Sequence, residues 1–272
     1  MEFIFRGADG TRLVARSWEP PSVQAVLLVV HGLGEYGAKY VSLASEMNKN
    51  NVAVCAMDLR GFGVSDGRRG HAETLDVLVS DVQALVQTAR GHYDAPLFIM
   101  GHSMGGVLAA HAAAGSPLLD GLILSSPWIG LRYRPPLPVR LLLELAGSCC
   151  PKWRVRFDVQ QVESGKKTVP LTAYADERVH RWISAGLYRA LRQGANAMDK
   201  GMLAPGLPLL GLHGAKDRLT DPVKTETFVR RCGGRFRLWP NGGHTLHRGE
   251  YRREFCQEMA NWISEIIQKM DV

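Results

Sequence analysis

No stretch of this 272-residue sequence approaches the roughly 18 consecutive apolar residues that cross a bilayer. The longest candidate, Ala25–Val30, is strand-sized. The start, Met1-Glu2-Phe3-Ile4-Phe5-Arg6, has no basic segment followed by an apolar one, so no secretory leader is expected. Cysteine is sparse. Cys55, Cys149, Cys150, Cys232 and Cys256 are odd in number and lack metal-ligand spacing, and the adjacent pair Cys149–Cys150 suits neither zinc nor an ordinary disulfide. A reducing, cytoplasmic setting is the expectation. Aromatic-interleaved basic modules and recognition helices are missing too, which argues against nucleic acid. Repeats and low-complexity tracts are absent, and 46% apolar with 22% charged residues describes a soluble globular chain.

What the sequence does have is an uneven charge. The 33 Lys+Arg exceed the 26 Asp+Glu, a net charge of +7. Residues 127–206 alone contain 13 basic and 6 acidic residues, so this segment carries the whole excess and the rest is neutral.

Asp9-Gly10 between two mildly apolar runs in Phe3–Trp18 predicts a β-hairpin. After Pro20-Pro21, short β-rich runs alternate with stretches of helical period: strand 25–30, helix 40–48, strand 52–57, helix 75–89, strand 96–100, helix 104–114 and strand 122–124. The alternation stops at Pro127. It resumes with strand 207–212, helix 223–232, strand 236–238 and helix 250–269. Near-continuous apolar strands separated by helices predict an α/β fold: a mostly parallel sheet of about eight strands, covered on both faces. Residues 1–126 and 207–272 then form one core, and 127–206 is a mainly helical insertion between two of its strands.

Gly101-His102-Ser103-Met104-Gly105-Gly106 follows a strand and opens a helix. In such a G-x-S-x-G elbow the serine sits on a strained bend, and Gly101 and Gly105 are required because a Cβ there collides with neighbouring backbone. The bend exposes the Ser103 hydroxyl and turns the Met104 N–H, at a helix N-terminus, toward a developing oxyanion. A serine nucleophile needs a base, and the base an orienting acid. In this architecture they follow in the order Ser, acid, His. Asp217 lies just past strand 207–212, and His244 follows strand 236–238, so Ser103, Asp217 and His244 all lie after strand ends on one edge of the sheet. His247 is a rival base and Asp221 a rival acid, although Pro222 after Asp221 suggests a helix N-cap. His71, His92, His102, His111 and His180 have no strand-end context and read as ordinary core or surface histidines.

His31-Gly32-Leu33-Gly34-Glu35-Tyr36-Gly37 follows strand 25–30, where the second oxyanion donor of such hydrolases arises; Leu33 N–H is the candidate. The same residues spell G-x-G-x-x-G (Gly32, Gly34, Gly37), with Asp58 ending the next strand, which is also a dinucleotide fingerprint. That reading leaves Ser103, Asp217 and His244 unexplained, so the hydrolase reading is preferred. The glycine-rich loop 58–67 reads as structural, with Arg60 and Asp66 expected to brace it by hydrogen bonds.

These motifs, with Gly214-Ala215-Lys216-Asp217 and His244-Thr245-Leu246-His247, resemble the α/β-hydrolase superfamily. More narrowly, the chain resembles the monoacylglycerol lipase, lysophospholipase and carboxylesterase group, catalogued with the serine aminopeptidase S33 family. The resemblance spans almost the whole chain. It implies a Ser103–Asp217–His244 triad, an oxyanion hole from Leu33 and Met104, a cap at 127–206 over an acyl pocket, small acyl-ester substrates, and no metal or cofactor. It equally leaves room for an acyltransferase, or for a binding protein that turns over poorly. One departure is Tyr36, where many relatives have His after the Gly-Glu pair. The basic cap argues against aminopeptidase activity, which needs acidic groups for the substrate's amine. Ser103 excludes the dehalogenases and epoxide hydrolases, whose nucleophile is Asp.

Within the insertion, 137–146 is a strongly apolar helix candidate flanked by Arg132, Arg134, Arg140, Lys152, Arg154 and Arg156. It suits either a helix packing its leucines onto the core or one touching anionic membrane, where each basic residue contributes about 1 kcal/mol.

Overall fold

The computed structural model describes residues 1–133, 136–157, 159–164, 176–179, 181–201 and 206–270; Arg134 and His180 lie outside them. Eight strands form one sheet in the order β1 (Glu2–Arg6), β2 (Arg12–Trp18), β4 (Val52–Asp58), β3 (Ala25–Val30), β5 (Leu97–His102), β6 (Gly121–Ser125), β9 (Leu209–Gly214) and β10 (Arg235–Trp239). β1 and β2 are the expected antiparallel hairpin, and β2 also runs antiparallel to β4; every later pairing is parallel.

Strands β3 to β6 and β9 are buried along their whole length, as the unbroken apolar runs require. Their side chains alternate between two cores. In β3, Val26, Leu28 and Val30 face the core under helices α2 (Leu75–Arg90) and α3 (Met104–Ala113), whereas Ala25, Leu27 and Val29 face that under α1 (Val41–Asn48) and α8 (Arg252–Met270). Thr74 caps α2 through the Val77 N–H, and Asp221 caps α7 (Pro222–Arg231) through the Val223 N–H, the N-cap role read for Asp221 from its proline neighbour.

The registers decide where chemistry can occur. Val30 pairs with Gly101, His102 with Ser125, Ser125 with Leu212, and Gly214 with Trp239. The carboxyl ends of β3, β5, β6, β9 and β10 are therefore level, and the loops that follow them share one edge.

Between β6 and β9 lie α4 (Leu137–Cys149), β7 (Arg154–Arg156), α5 (Val159–Ser164), β8 (Trp182–Ser184) and α6 (Ala185–Asp199), with β7 and β8 as a small antiparallel ribbon. This segment is not uniform. Helix α6 is capped by Ser184, and its Leu187, Tyr188, Leu191, Ala195 and Met198 join the core under α2 and α3. Two histidines without a catalytic context anchor it: His71 Nδ1 meets Ser184 Oγ at 2.8 Å, and His111 Nε2 meets the Gly194 carbonyl at 3.1 Å. Helix α4 is different. Leu143 and Ala146 are buried, but Leu137, Leu141, Leu142 and Leu145 are exposed by 51 to 66%, so core packing explains only a minority of its leucines.

Candidate active site

Ser103 joins β5 to α3 with φ 53° and ψ −116°, a strained conformation for a residue with a Cβ. Its N–H donates to the Ser125 carbonyl at 3.0 Å, and its carbonyl accepts from Trp128 N–H, which fixes the bend. The flanking glycines are steric requirements: a Cβ on Gly101 would lie 2.3 Å from the Gly105 oxygen, and one on Gly105 2.1 Å from the Val30 oxygen. As the first residue of α3, Met104 has no intrahelical partner for its N–H. The Gly32–Leu33 turn approaches the elbow so closely that a Cβ on Gly32 would lie 3.3 Å from Ser103 Cβ. Gly32, Leu33, His102, Ser103 and His244 line one pocket.

His244 and Asp217 meet as the strand-end argument requires. His244 Nδ1–H donates to Asp217 Oδ2 at 2.7 Å. His213 Nε2–H and the Thr220 hydroxyl also donate to Oδ2, at 3.0 and 2.8 Å, and Leu219 and Thr220 N–H donate to Oδ1, at 2.7 and 3.0 Å. Burial alone would raise the Asp217 pKa, but the adjoining His244 and these donors outweigh it and hold the carboxyl well below its usual range. Burial alone would lower His244, but Asp217 outweighs it and raises the imidazole. The Nε2 of His244 is buried and has no hydrogen-bond partner among the described residues. The carbonyls of Asp217 and Ala215 are held by Arg132 at 2.7 and 3.1 Å. Arg132, although exposed, is thereby tied to the loop that carries Asp217.

His247 does not reach Asp217. Its ring stacks on Tyr40 with centroids 4.8 Å apart, and burial lowers it to about 3, so it stays neutral. His102, beside the nucleophile, points its Nδ1 at the Ser125 carbonyl and is likewise kept neutral, first by burial and then by His247 and His244. Glu35, His102 and His247 carry ligand-type atoms within 4.8 Å of one another. As a metal site this set is compromised, because the Glu35 carboxylate is already held by Arg248, Tyr40 OH and Gly32 N–H.

The dinucleotide reading fails on Asp58, which it needs facing a ribose. Both carboxylate oxygens are used internally, Oδ1 by Gly37 N–H at 2.6 Å and Oδ2 by Val64 N–H at 2.9 Å. Asp58 is thereby the side chain that braces loop 58–67. Arg60 pairs with Asp81 and Asp9, tying the loop to α2 and the hairpin, whereas Asp66 makes only a 3.9 Å exposed contact to Arg12 and contributes mainly its backbone. The expectation for Asp66 is corrected accordingly.

Tyr36 reaches across to the segment before β8. Its hydroxyl donates to Asp176, the Arg178 guanidinium lies 4.4 Å from its ring centre, and Arg178 also pairs with Asp176, holding that carboxyl down at about 2. A second tie joins α5 to the histidine loop: the Thr245 hydroxyl donates to Glu163 at 2.6 Å. Glu35, Arg248, Thr220, His213 and Glu163 have no role in the sequence reading, and Arg132 appears there only as a basic flank of 137–146. Only Glu35 and His213 gave a signal, as polar residues directly after apolar strands.

Comparison with known proteins identifies the family. The family model for serine aminopeptidase S33 matches residues 21–251. A monoacylglycerol lipase from Mycolicibacterium smegmatis is 28% identical, with 96% of each chain covered, and a monoglyceride lipase from Rattus norvegicus is 28% identical over 96% of this chain and 89% of its own. An uncharacterized abhydrolase domain-containing protein from Dictyostelium discoideum is 31% identical over 96% of this chain, which spans only 28% of that longer protein. Among solved structures, a soluble variant of monoglyceride lipase from Saccharomyces cerevisiae in complex with a substrate analog superposes with a TM-score of 0.84 at 22% identity, covering 96% of this chain and 94% of its own. The chain thus belongs to the serine aminopeptidase S33 family of α/β-hydrolases and is monoacylglycerol lipase-like in sequence and fold.

Proposed function

We propose that this protein is a carboxylic ester hydrolase acting on small acyl esters, namely monoacylglycerols, lysophospholipids or similar monoacyl substrates. The observation that carries the reading is the state of His244. Its Nδ1 is committed to Asp217, while its buried Nε2 is left without a partner in the pocket that Ser103 lines. In the proposed mechanism Ser103 Oγ attacks the ester carbonyl as its proton passes to His244 Nε2. The Leu33 and Met104 N–H groups receive the oxyanion. Collapse breaks the bond to the leaving alkoxide, which takes that proton from His244, and water repeats the sequence on the acyl-enzyme to release the acid. Asp217 fixes the tautomer throughout, and the scheme uses no cofactor.

Segment 127–206 acts as the cap in this reading, closing the pocket through Tyr36–Asp176 and Thr245–Glu163. The charges lining the pocket speak against a substrate with a free amine: Glu35 is paired with Arg248, and Glu163 is set against both Lys39 and Arg181. The exposed leucines of α4, with Arg140, Lys152 and Arg154 nearby in sequence, suit peripheral contact with anionic lipid. No helix among the described residues is long and apolar enough to span a membrane.

A chain-length series of nitrophenyl esters and monoacylglycerols, with Ser103→Ala as control, tests the activity. Ser103→Ala with wild-type turnover removes the mechanism. Vesicle assays with and without anionic lipid test the cap; equal rates at low and high salt remove its electrostatic part.

A further inference from the structure

Glu35 is a carboxylate in an unusual place for a residue outside the triad. It is 9% exposed and lies two residues beyond Leu33 in the loop after β3. Oε2 accepts from the Gly32 N–H at 3.2 Å and from the Tyr40 hydroxyl at 2.7 Å, while Oε1 takes the Arg248 guanidinium. Burial alone would push this carboxyl up. The Arg248 charge, together with the neighbouring imidazoles and the Tyr40 hydroxyl, outweighs it and holds Glu35 well below the usual carboxylate range.

The partners lie on opposite halves of the catalytic machinery. The Gly32–Leu33 peptide orients the Leu33 N–H, and Arg248 ends the short stretch that begins at His244. Between them, His247 is clamped against Tyr40 and against His102, at centroid distances of 4.8 and 4.6 Å. The Glu35–Arg248 pair has its carboxylate buried and its guanidinium partly exposed, and it ties the two loops together.

We infer that Glu35 is a positioning residue for ester hydrolysis: with Arg248 it locks the oxyanion loop to the histidine loop, and its negative charge faces the imidazole cluster of His247 and His102 beside His244. The inference rests on the proposed reaction and adds to it a group that touches neither substrate nor nucleophile. It has two separable parts. Geometry requires the carboxylate's reach to Gly32, and electrostatics requires its charge. The groups that bear on His244 are Asp217, Glu163 and Glu35, which raise it, and the neighbouring His213, His102, His247 and Arg248, which are neutral or cationic. Removing the Glu35 charge therefore lowers the His244 pKa.

The test is steady-state kinetics of Glu35→Gln, Glu35→Asp and Arg248→Met against pH, with Ser103→Ala run alongside. Loss of a whole oxyanion donor costs about 10²–10³ in rate. A donor that is loosened rather than removed should give a fall in kcat of about 10- to 100-fold in all three variants, with KM changed less than threefold. The acid limb of kcat/KM should move to lower pH in Glu35→Gln and stay in place in Glu35→Asp, which keeps the charge but not the reach. Reaction of Ser103 with a fluorophosphonate counts folded sites in each preparation. If Glu35→Gln does not fold, Arg248→Met at its partly exposed position carries the decision alone. A folded variant with wild-type kcat and an unmoved acid limb overturns the inference, provided Ser103→Ala is inactive. An active Ser103→Ala overturns instead the reaction on which it rests.

Discussion

Asp217→Asn offers the sharpest test of the triad, because the structure dictates which way the amide must point. If Asn placed its NH2 where Oδ1 stands, it would face the N–H groups of Leu219 and Thr220, which cannot change from donor to acceptor. If it placed NH2 where Oδ2 stands, it would face His213, His244 and the Thr220 hydroxyl, each of which can switch roles. The second orientation wins. His244 Nδ1 must then accept, its proton moves to Nε2, and the nitrogen that should receive the Ser103 proton is blocked. The wrong tautomer costs about 10⁴ in kcat in enzymes of this type, equivalent to about 5.4 kcal/mol at 1.36 kcal/mol per decade. Losing charge-assisted bonds should also cost on the order of 2 kcal/mol of stability. The assay is the steady-state kcat on a nitrophenyl ester, with thermal unfolding to confirm a folded variant and fluorophosphonate labelling to count sites. A folded Asp217→Asn retaining kcat within tenfold of wild type, when Ser103→Ala is inactive, would falsify the assignment of Asp217.

The acid limb of kcat/KM should lie above the ordinary histidine value of 6.5, because His244 is raised and only its neutral form accepts a proton; a limb below pH 6 contradicts this. Gly105→Ala should lose at least about 3 kcal/mol of stability or fail to fold, since its Cβ would lie 2.1 Å from a backbone oxygen; an unchanged melting temperature is the opposing result. In α4, Leu143→Ala should cost about 2–5 kcal/mol, whereas Leu141→Ser with Leu145→Ser should change stability by no more than about 1 kcal/mol and weaken vesicle binding. Denaturant titration and vesicle sedimentation read these two outcomes, and undiminished sedimentation of the double variant removes those leucines from any lipid contact.

The sheet was legible because its strands announce themselves by an uninterrupted apolar face on both sides, and the element boundaries expected from periodicity fall within a few residues of those observed. The elbow was legible because Gly101 and Gly105 have no steric alternative. Residues such as Thr220, Arg132 and Glu163 were not legible. Their roles depend on contacts between residues 82 or more apart, or on a hydroxyl aimed at a carboxylate across a turn, and no local spacing records either. The leucines of 137–146 show a third limit: composition marks them as apolar, but only tertiary packing decides that Leu143 is covered and Leu142 is not. Asp58 rather than Asp66 braces the glycine loop for a similar reason, since the two aspartates differ only in which one the sheet carries to the centre.

Helix α6 belongs to the insertion by sequence and to the main core by packing, and this divides the segment's breathing. Because Leu187, Leu191 and Met198 share a core with β3 and α3, α6 can unfold only when the sheet does. The portion around α4 and α5 is less firmly held: of α4, Leu143, Ala146 and the Glu144–Arg192 pair engage that core and α6, and Tyr36 and Thr245 tie the segment to the catalytic edge. Amide hydrogens in α6 should therefore exchange at the slow, global rate and those of α4 at a faster, local one. On the proposed reading, substrate would then enter by a local loosening beside a fixed floor rather than by the swing of a rigid flap.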